Sequence, residues 1–215
     1  MSPPRHEDSR ADRDPDPGWG LILTGGGNRG AIQAGAVRAL FQTGFRPGVV
    51  VGVAVGEVTG SYVAFRPPEA GVAGLIGIWR NLDGRELFGT RHARARTWLA
   101  LISGRAAAFS NHGLRRLLES ELAGHSFGDT TVPLAVTATH LETGTGRVLT
   151  QGNVVDAVLA SSALPGFLPP VTVSGERLVD GAVADPMPRH VVTERGLSRV
   201  VVVDPGHACR CPRVY

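Results

Sequence analysis

Little in this chain of 215 residues points to a disulfide scaffold, a nucleic-acid binder or a membrane span. Its two cysteines, Cys209 and Cys211, stand two apart and say little about structure. Aromatic residues make up only 6%, and the formal net charge is +3. There is no basic run, no aromatic platform and no zinc-finger spacing, so no nucleic-acid partner is expected. No window reaches the roughly 18 uninterrupted apolar residues of a membrane-spanning helix. Residues 1–18 mix both charge signs with proline and carry almost no apolar side chains. Such a segment cannot bury enough surface to offset its chain entropy, and a disordered arm is expected there. It lacks the apolar core of a signal peptide, so the expected location is the cytoplasm. Any membrane contact would be peripheral, helped weakly by the thinly spread positive charge.

What is abundant is glycine, 29 residues, within a composition that is 42% hydrophobic. That suits one domain with a substantial core over residues 19–215. The most informative stretch runs from Trp19 to Phe65. Trp19 to Thr24 has the length and character of a strand. Gly25-Gly26-Gly27-Asn28-Arg29-Gly30 follows, a loop free to take backbone angles that a Cβ forbids and to aim its N–H groups at an anion. Ala31, Ala34, Val37 and Ala39 to Phe41 recur at helical spacing, and Gly44 and Pro47 end the helix. Val49 to Val53 is β-branched throughout, apart from Gly52, as expected of a neighbouring parallel strand buried on both faces.

That strand runs into Gly52-Val53-Ala54-Val55-Gly56 and a helix to Phe65. A G-x-S-x-G turn places a serine on a tight strand-to-helix bend, its hydroxyl exposed above a helix N-terminus. Here the flanking glycines are present and the central residue is Ala54, whose methyl cannot attack a carbonyl. A rival reading takes Gly25, Gly27 and Gly30 as the G-x-G-x-x-G of a dinucleotide-binding domain. That fold requires an acid near the end of the second strand. Val49 to Val53 holds none, and Glu57 falls on the next helix.

Both turns together resemble the patatin-like phospholipases, which carry a G-G-G-x-[RK]-G loop, a G-x-S-x-G elbow and a D-G-[GA] triplet. The chain has Gly25 to Gly30, Gly52 to Gly56 and Asp180-Gly181-Ala182 in that order. It also has Ala160-Ser161-Ser162-Ala163-Leu164-Pro165-Gly166-Phe167-Leu168-Pro169-Pro170, similar to the family's segment before the aspartate. The resemblance implies a three-layer α/β/α fold with a mostly parallel central sheet. It also implies lipid acyl hydrolysis by a Ser–Asp dyad without histidine, metal or cofactor. Family domains usually continue with further helix, so the resemblance implies a shortened C-terminal region.

Carried onto this sequence, the catalytic positions are Ala54, in place of the nucleophile, and Asp180. The oxyanion loop is Gly25, Gly26, Gly27, Arg29 and Gly30, with the N–H groups of Gly26 and Gly27 as donors to the developing charge. Arg29 would serve as a positive aid or as a tie for the loop. On position alone, Asp180 is an acid on a turn. The family pattern after the elbow is Ala-[Ile/Leu]-Asn-Gly, whereas this chain has Glu57-Val58-Thr59-Gly60, so the departure extends past one residue. Thr59 and Ser61 belong to the helix and are not expected to replace the missing hydroxyl. Two functions follow: a lipid or ester acyl hydrolase in an inactive form, or a non-catalytic lipid-binding or regulatory relative.

The remaining pattern alternates strands and helices, as in an α/β fold. Helices are expected at Ala70 to Leu82, at His112 to Leu122 behind Ser110-Asn111, at Val154 to Ser162 and at Pro188 to Arg195. Hairpins are expected at Pro133 to Thr150 and Val171 to Val179, and a last strand at Val200 to Val203. Arg85 to Ala108 alternates arginine with apolar residues, as in a surface helix or one lying on lipid. His190 and His207 follow Asp180 in the order of an α/β-hydrolase triad but are expected at the surface. His207, Cys209 and Cys211 lack a fourth partner and make a weak metal site.

Overall fold

The computed structural model describes residues 18–81, 107, 109–122 and 124–206. Strand β1 (Trp19–Leu23) is followed by a 3-10 turn at Gly27–Arg29 and by helix α1 (Gly30–Gln42). Strand β2 (Val49–Gly52) leads into α2 (Val55–Phe65) and α3 (Pro68–Asn81). Helix α4 (His112–Leu122) precedes a hairpin of β3 (Leu134–His140) and β4 (Gly146–Leu149). Helix α5 (Val154–Ser161) leads to a second hairpin, β5 (Val171–Val173) and β6 (Glu176–Asp180). Helix α6 (Arg189–Thr193) and β7 (Arg199–Val203) complete the described chain. Apart from Ala107, the helix expected over Arg85 to Ala108 lies outside the described residues, as do the arm before Gly18, His207 and both cysteines.

The seven strands form one sheet in the order β5-β6-β3-β2-β1-β7, with β4 paired to β3. β3, β2, β1 and β7 run parallel, and β4, β5 and β6 add antiparallel pairs on the β3 side. Side chains along a strand alternate between faces. Leu21, Leu23, Val50, Leu134, Val136 and Ala138 enter one core with residues of α1, α2, α4 and α5. Ile22, Val49, Val51 and Ala135 enter another with Val191 and Val192 of α6. Helices therefore cover both faces, and Val49-Val50-Val51 of β2 shows no alternation because neither of its faces meets water.

The pairing on β3 brings two distant chain ends together. Val136 pairs with Gly52 on one edge and Leu149 on the other, while Ala138 pairs with Asp180 and Arg147. β4 occupies one edge of β3, so β2 and β6 must share the opposite edge. β2 is parallel to β3 and β6 antiparallel, so their C-terminal ends, Gly52 and Asp180, face each other along that edge. Thr137 lies between these two levels and donates from Oγ1 to the Gly52 carbonyl oxygen at 3.1 Å. Gly181 follows Asp180 where any Cβ would crowd the carbonyl oxygen of Thr137.

The helices are set by apolar spacing and caps. Helix α2 is buried along nearly its whole length, from Gly56 to Ala64. Asn153 caps α5 by accepting from the Asp156 N–H at 3.1 Å. Ser110 Oγ accepts from the His112 N–H at 3.2 Å at the start of α4. On α4, Leu118 and Leu122 are buried in the core, Leu114 packs against it, and Leu114 and Leu117 line a cavity.

Candidate active site

Ala54, two residues past the end of β2 and immediately before α2, has φ 53° and ψ −127°. A non-glycine residue in such a conformation costs roughly 1–3 kcal/mol and persists only where its surroundings over-determine it. Those surroundings are specific. The Ala54 N–H donates to Ser161 Oγ at 3.0 Å, and Ser162 Oγ donates to the Ala54 carbonyl oxygen at 3.3 Å. Gly56 lies so close to β1 that a Cβ would collide with the carbonyl oxygen of Leu23. At Gly52 a Cβ would stand 2.6 Å from the Cα of Glu57. Both elbow glycines are thus fixed by backbone proximity, while the bend itself is held by two hydroxyls from the end of α5.

The glycine loop passes beside the elbow. A Cβ at Gly25 would stand 3.3 Å from the Ala54 methyl. The loop is tied from several sides. Buried Gln33 donates from Nε2 to the Thr24 carbonyl oxygen at 2.6 Å and accepts from Thr59 Oγ1 at 3.1 Å. Arg29 donates from Nη1 to the Gly206 carbonyl oxygen at 2.8 Å and more weakly from Nε to that of Gly26 at 3.4 Å. Of the two roles open to Arg29, this geometry is that of a tie between the loop and the segment after β7. Gly27 has φ 57°, which favours glycine. Gly30 begins α1, and the indole of Trp79 occupies the space that a side chain at Gly30 would need.

Asp180 closes β6, is 4% exposed, and accepts on Oδ1 from the Ala182 N–H at 2.8 Å. Burial raises its carboxyl to about 6, partly opposed by that N–H. Gly25, Gly26, Gly27, Ala54, Asp180 and Ala182 line one cavity of about 600 Å³. Arg29, Gly30, Gly52, Gly56 and Gly181 do not line it; they shape the backbone around it. Among the described residues, no backbone carbonyl accepts from the N–H of Gly25, Gly26 or Gly27. The rest of the wall is largely apolar: Val58 from α2, Ile78 and Trp79 from α3, Leu114 and Leu117 from α4, and Leu164, Phe167 and Leu168 from the loop after α5. The cavity opens at the C-terminal ends of the parallel strands, where ligand sites of open α/β sheets lie.

Three contributors were not expected from the sequence. Ser161 and Ser162 hold the elbow, although the motif containing them was recognised. Asp204, after β7, is a second carboxylate on the cavity wall and accepts from Thr24 Oγ1 at 2.9 Å. An acid directly after a valine-rich strand of a parallel sheet was the available signal. Thr59 and Ser61 are fully buried on α2, Ser61 donating to the Val58 carbonyl oxygen, and neither lines the cavity. His190 is exposed and lies 3.3 Å from Asp185, away from the cavity wall. Among the described residues no group of three or more His, Cys, Asp or Glu could hold a metal ion.

A mostly parallel sheet carrying a strained strand-to-helix elbow, a tethered glycine loop and a buried aspartate around one largely apolar cavity defines the class: an α/β protein with an elbow-and-loop site. The family model for patatin-like phospholipase matches residues 21–193, and the chain belongs to that family. Lysophospholipase NTE1 of Mycosarcoma maydis is 28% identical over 197 residues, 91% of this chain and 10% of the relative. The rat patatin-like phospholipase domain-containing protein 7 is 26% identical over 188 residues, 86% of this chain and 13% of the relative. The chain thus spans about a tenth of the length of these curated relatives. Among solved structures, VipD from Legionella pneumophila shares the fold, with a TM-score of 0.61 and 18% identity over 85% of this chain and 49% of that one.

Proposed function

We propose that this protein binds the acyl portion of a lipid or lipid ester in the cavity between the elbow and the glycine loop, and does not hydrolyse it. The observation that carries this reading is Ala54: a bare methyl held in the strained elbow conformation, on the wall of the same cavity as Asp180. In a serine-bearing elbow the hydroxyl attacks the ester carbonyl, the aspartate accepts its proton, and water later releases the acyl group. Loop N–H groups would stabilise the oxygen that gains charge. With Ala54 no covalent bond can form at this position. Loss of the nucleophile in a hydrolase of this kind costs roughly 10⁶-fold in turnover, by analogy with serine proteases.

The test is Ala54→Ser, assayed on a soluble short-chain chromogenic ester. Turnover should become measurable and disappear again in Ala54→Ser/Asp180→Asn. A silent serine form with an intact fold would leave acyl binding as the only activity, to be measured on the unaltered chain with a fluorescent acyl probe. Absence of probe binding as well would remove the proposal. The lipid-bound state and the peripheral membrane contact expected from the sequence belong to the same reading.

A further inference from the structure

Among the described residues five large apolar side chains remain exposed, Ile32, Val148, Leu164, Phe167 and Val183, and two of them line the cavity. Leu164 and Phe167 line it and yet are 46% and 47% exposed, which places them on its rim. Val183, 54% exposed, follows Ala182 on the cavity wall. Ile32, 59% exposed, lies in the first turn of α1, directly after the glycine loop. The rim is held firmly. Phe167 stacks on Phe109 with ring centroids 5.7 Å apart, and the Phe109 N–H donates to the Phe167 carbonyl oxygen at 2.9 Å.

We propose that this rim docks on a lipid surface, inserting Leu164, Phe167, Val183 and Ile32, so that a single lipid passes between the surface and the cavity without crossing water. The inference rests on the acyl-binding reading for its cargo, and on the continuity of the exposed rim with the apolar wall for its direction. An apolar side chain half in water contributes nothing there, whereas in hydrocarbon each shifts partitioning roughly tenfold. Arg29 is exposed on the loop before Ile32, but the charge of the wall itself argues for insertion over attraction to acidic head groups. Asp180 and Asp204 lie on the cavity wall, and no Lys, Arg or His is among its described lining residues. Binding should therefore occur on zwitterionic lipid and persist in salt, unlike that of a polybasic surface.

The experiment is co-sedimentation of the full chain with phosphatidylcholine vesicles. Ile32→Gln/Val183→Asn changes two exposed positions outside the cavity wall, and Gln42→Asp, at the far end of α1, serves as control. The unaltered chain and Gln42→Asp should bind alike at low and high salt, and the double variant should bind roughly tenfold or more weakly with an unchanged circular dichroism spectrum. Equal binding by the double variant would overturn the proposal, as would no binding by the unaltered chain or binding abolished by salt. If the single exchanges Ile32→Gln and Val183→Asn each gave a partial loss, a folding defect of the double variant would be excluded as the cause. The fluorescent acyl probe needs no surface. Absence of probe binding with vesicle binding intact would count against the acyl reading alone, and probe binding without vesicle binding would count against docking alone.

Discussion

Replacing Glu57 by glutamine should change how stability depends on pH. Glu57 is fully buried on α2, one turn after the elbow, and neither carboxyl oxygen has a hydrogen-bond partner. Its surroundings are the backbone of Gly52 and the apolar packing of α2 on β2. Burial raises its carboxyl well above 4.5, so the folded protein keeps the proton. In the unfolded chain a glutamate titrates near 4.3. Between those two points the native state binds one proton more than the unfolded state, and stability falls as pH rises. The slope is about 1.36 kcal/mol per pH unit, starting at the unfolded value and levelling off above the folded one. Glutamine has nearly the same shape and never ionises. Urea unfolding of the unaltered chain and Glu57→Gln, from about pH 4 to about pH 8, should give curves that diverge in favour of the variant as pH rises. Asp180, also raised, acts equally in both proteins and cancels in the difference. A constant difference across that range would mean that the Glu57 carboxyl finds a partner or water, and the reasoning would fail.

Two further outcomes concern the elbow. Ser161→Ala leaves the buried Ala54 N–H without an acceptor and should cost roughly 1–3 kcal/mol in urea unfolding; a neutral effect would show that another group holds the bend. In Ala54→Ser, kcat/KM on the soluble ester should rise with pH through about 6 and then level off, because Asp180 must be ionised to accept a proton; a limb at ordinary carboxylate values would mean that burial does not act on it.

Much of the fold was legible because its inner strands β1, β2 and β3 are buried on both faces. Val49 to Val51 and Val200 to Val203 offered no alternation to misread, and glycine or proline marked most of the turns between elements. The hairpin at Leu134, Val136 and Ala138 showed the period of two because only those positions enter the larger core. Sequence could place Ala54 and Asp180 in a shared site only through resemblance. Their meeting depends on β2 and β6 sharing one edge of β3, a long-range pairing that no local pattern records. Ser161 and Ser162 lay inside a recognised segment, but nothing in their spacing shows that they bond to a backbone more than a hundred residues away.

The elbow raises a final physical point. A positive φ at an alanine is a cost without an evident local return, yet the bend is intact. Gly52 and Gly56 keep the chain within contact of α2 and β1, Ser161 and Ser162 bind both backbone groups of residue 54, and Thr137 donates to the Gly52 carbonyl oxygen. Each of these also serves the packing of sheet on helix, so the conformation is enforced by the fold and does not depend on a hydroxyl at its tip. A serine placed there would therefore enter a bend already formed, on the wall of the same cavity as an aspartate already desolvated. That is why a single exchange, without repair at Glu57 or Thr59, is expected to be enough for turnover.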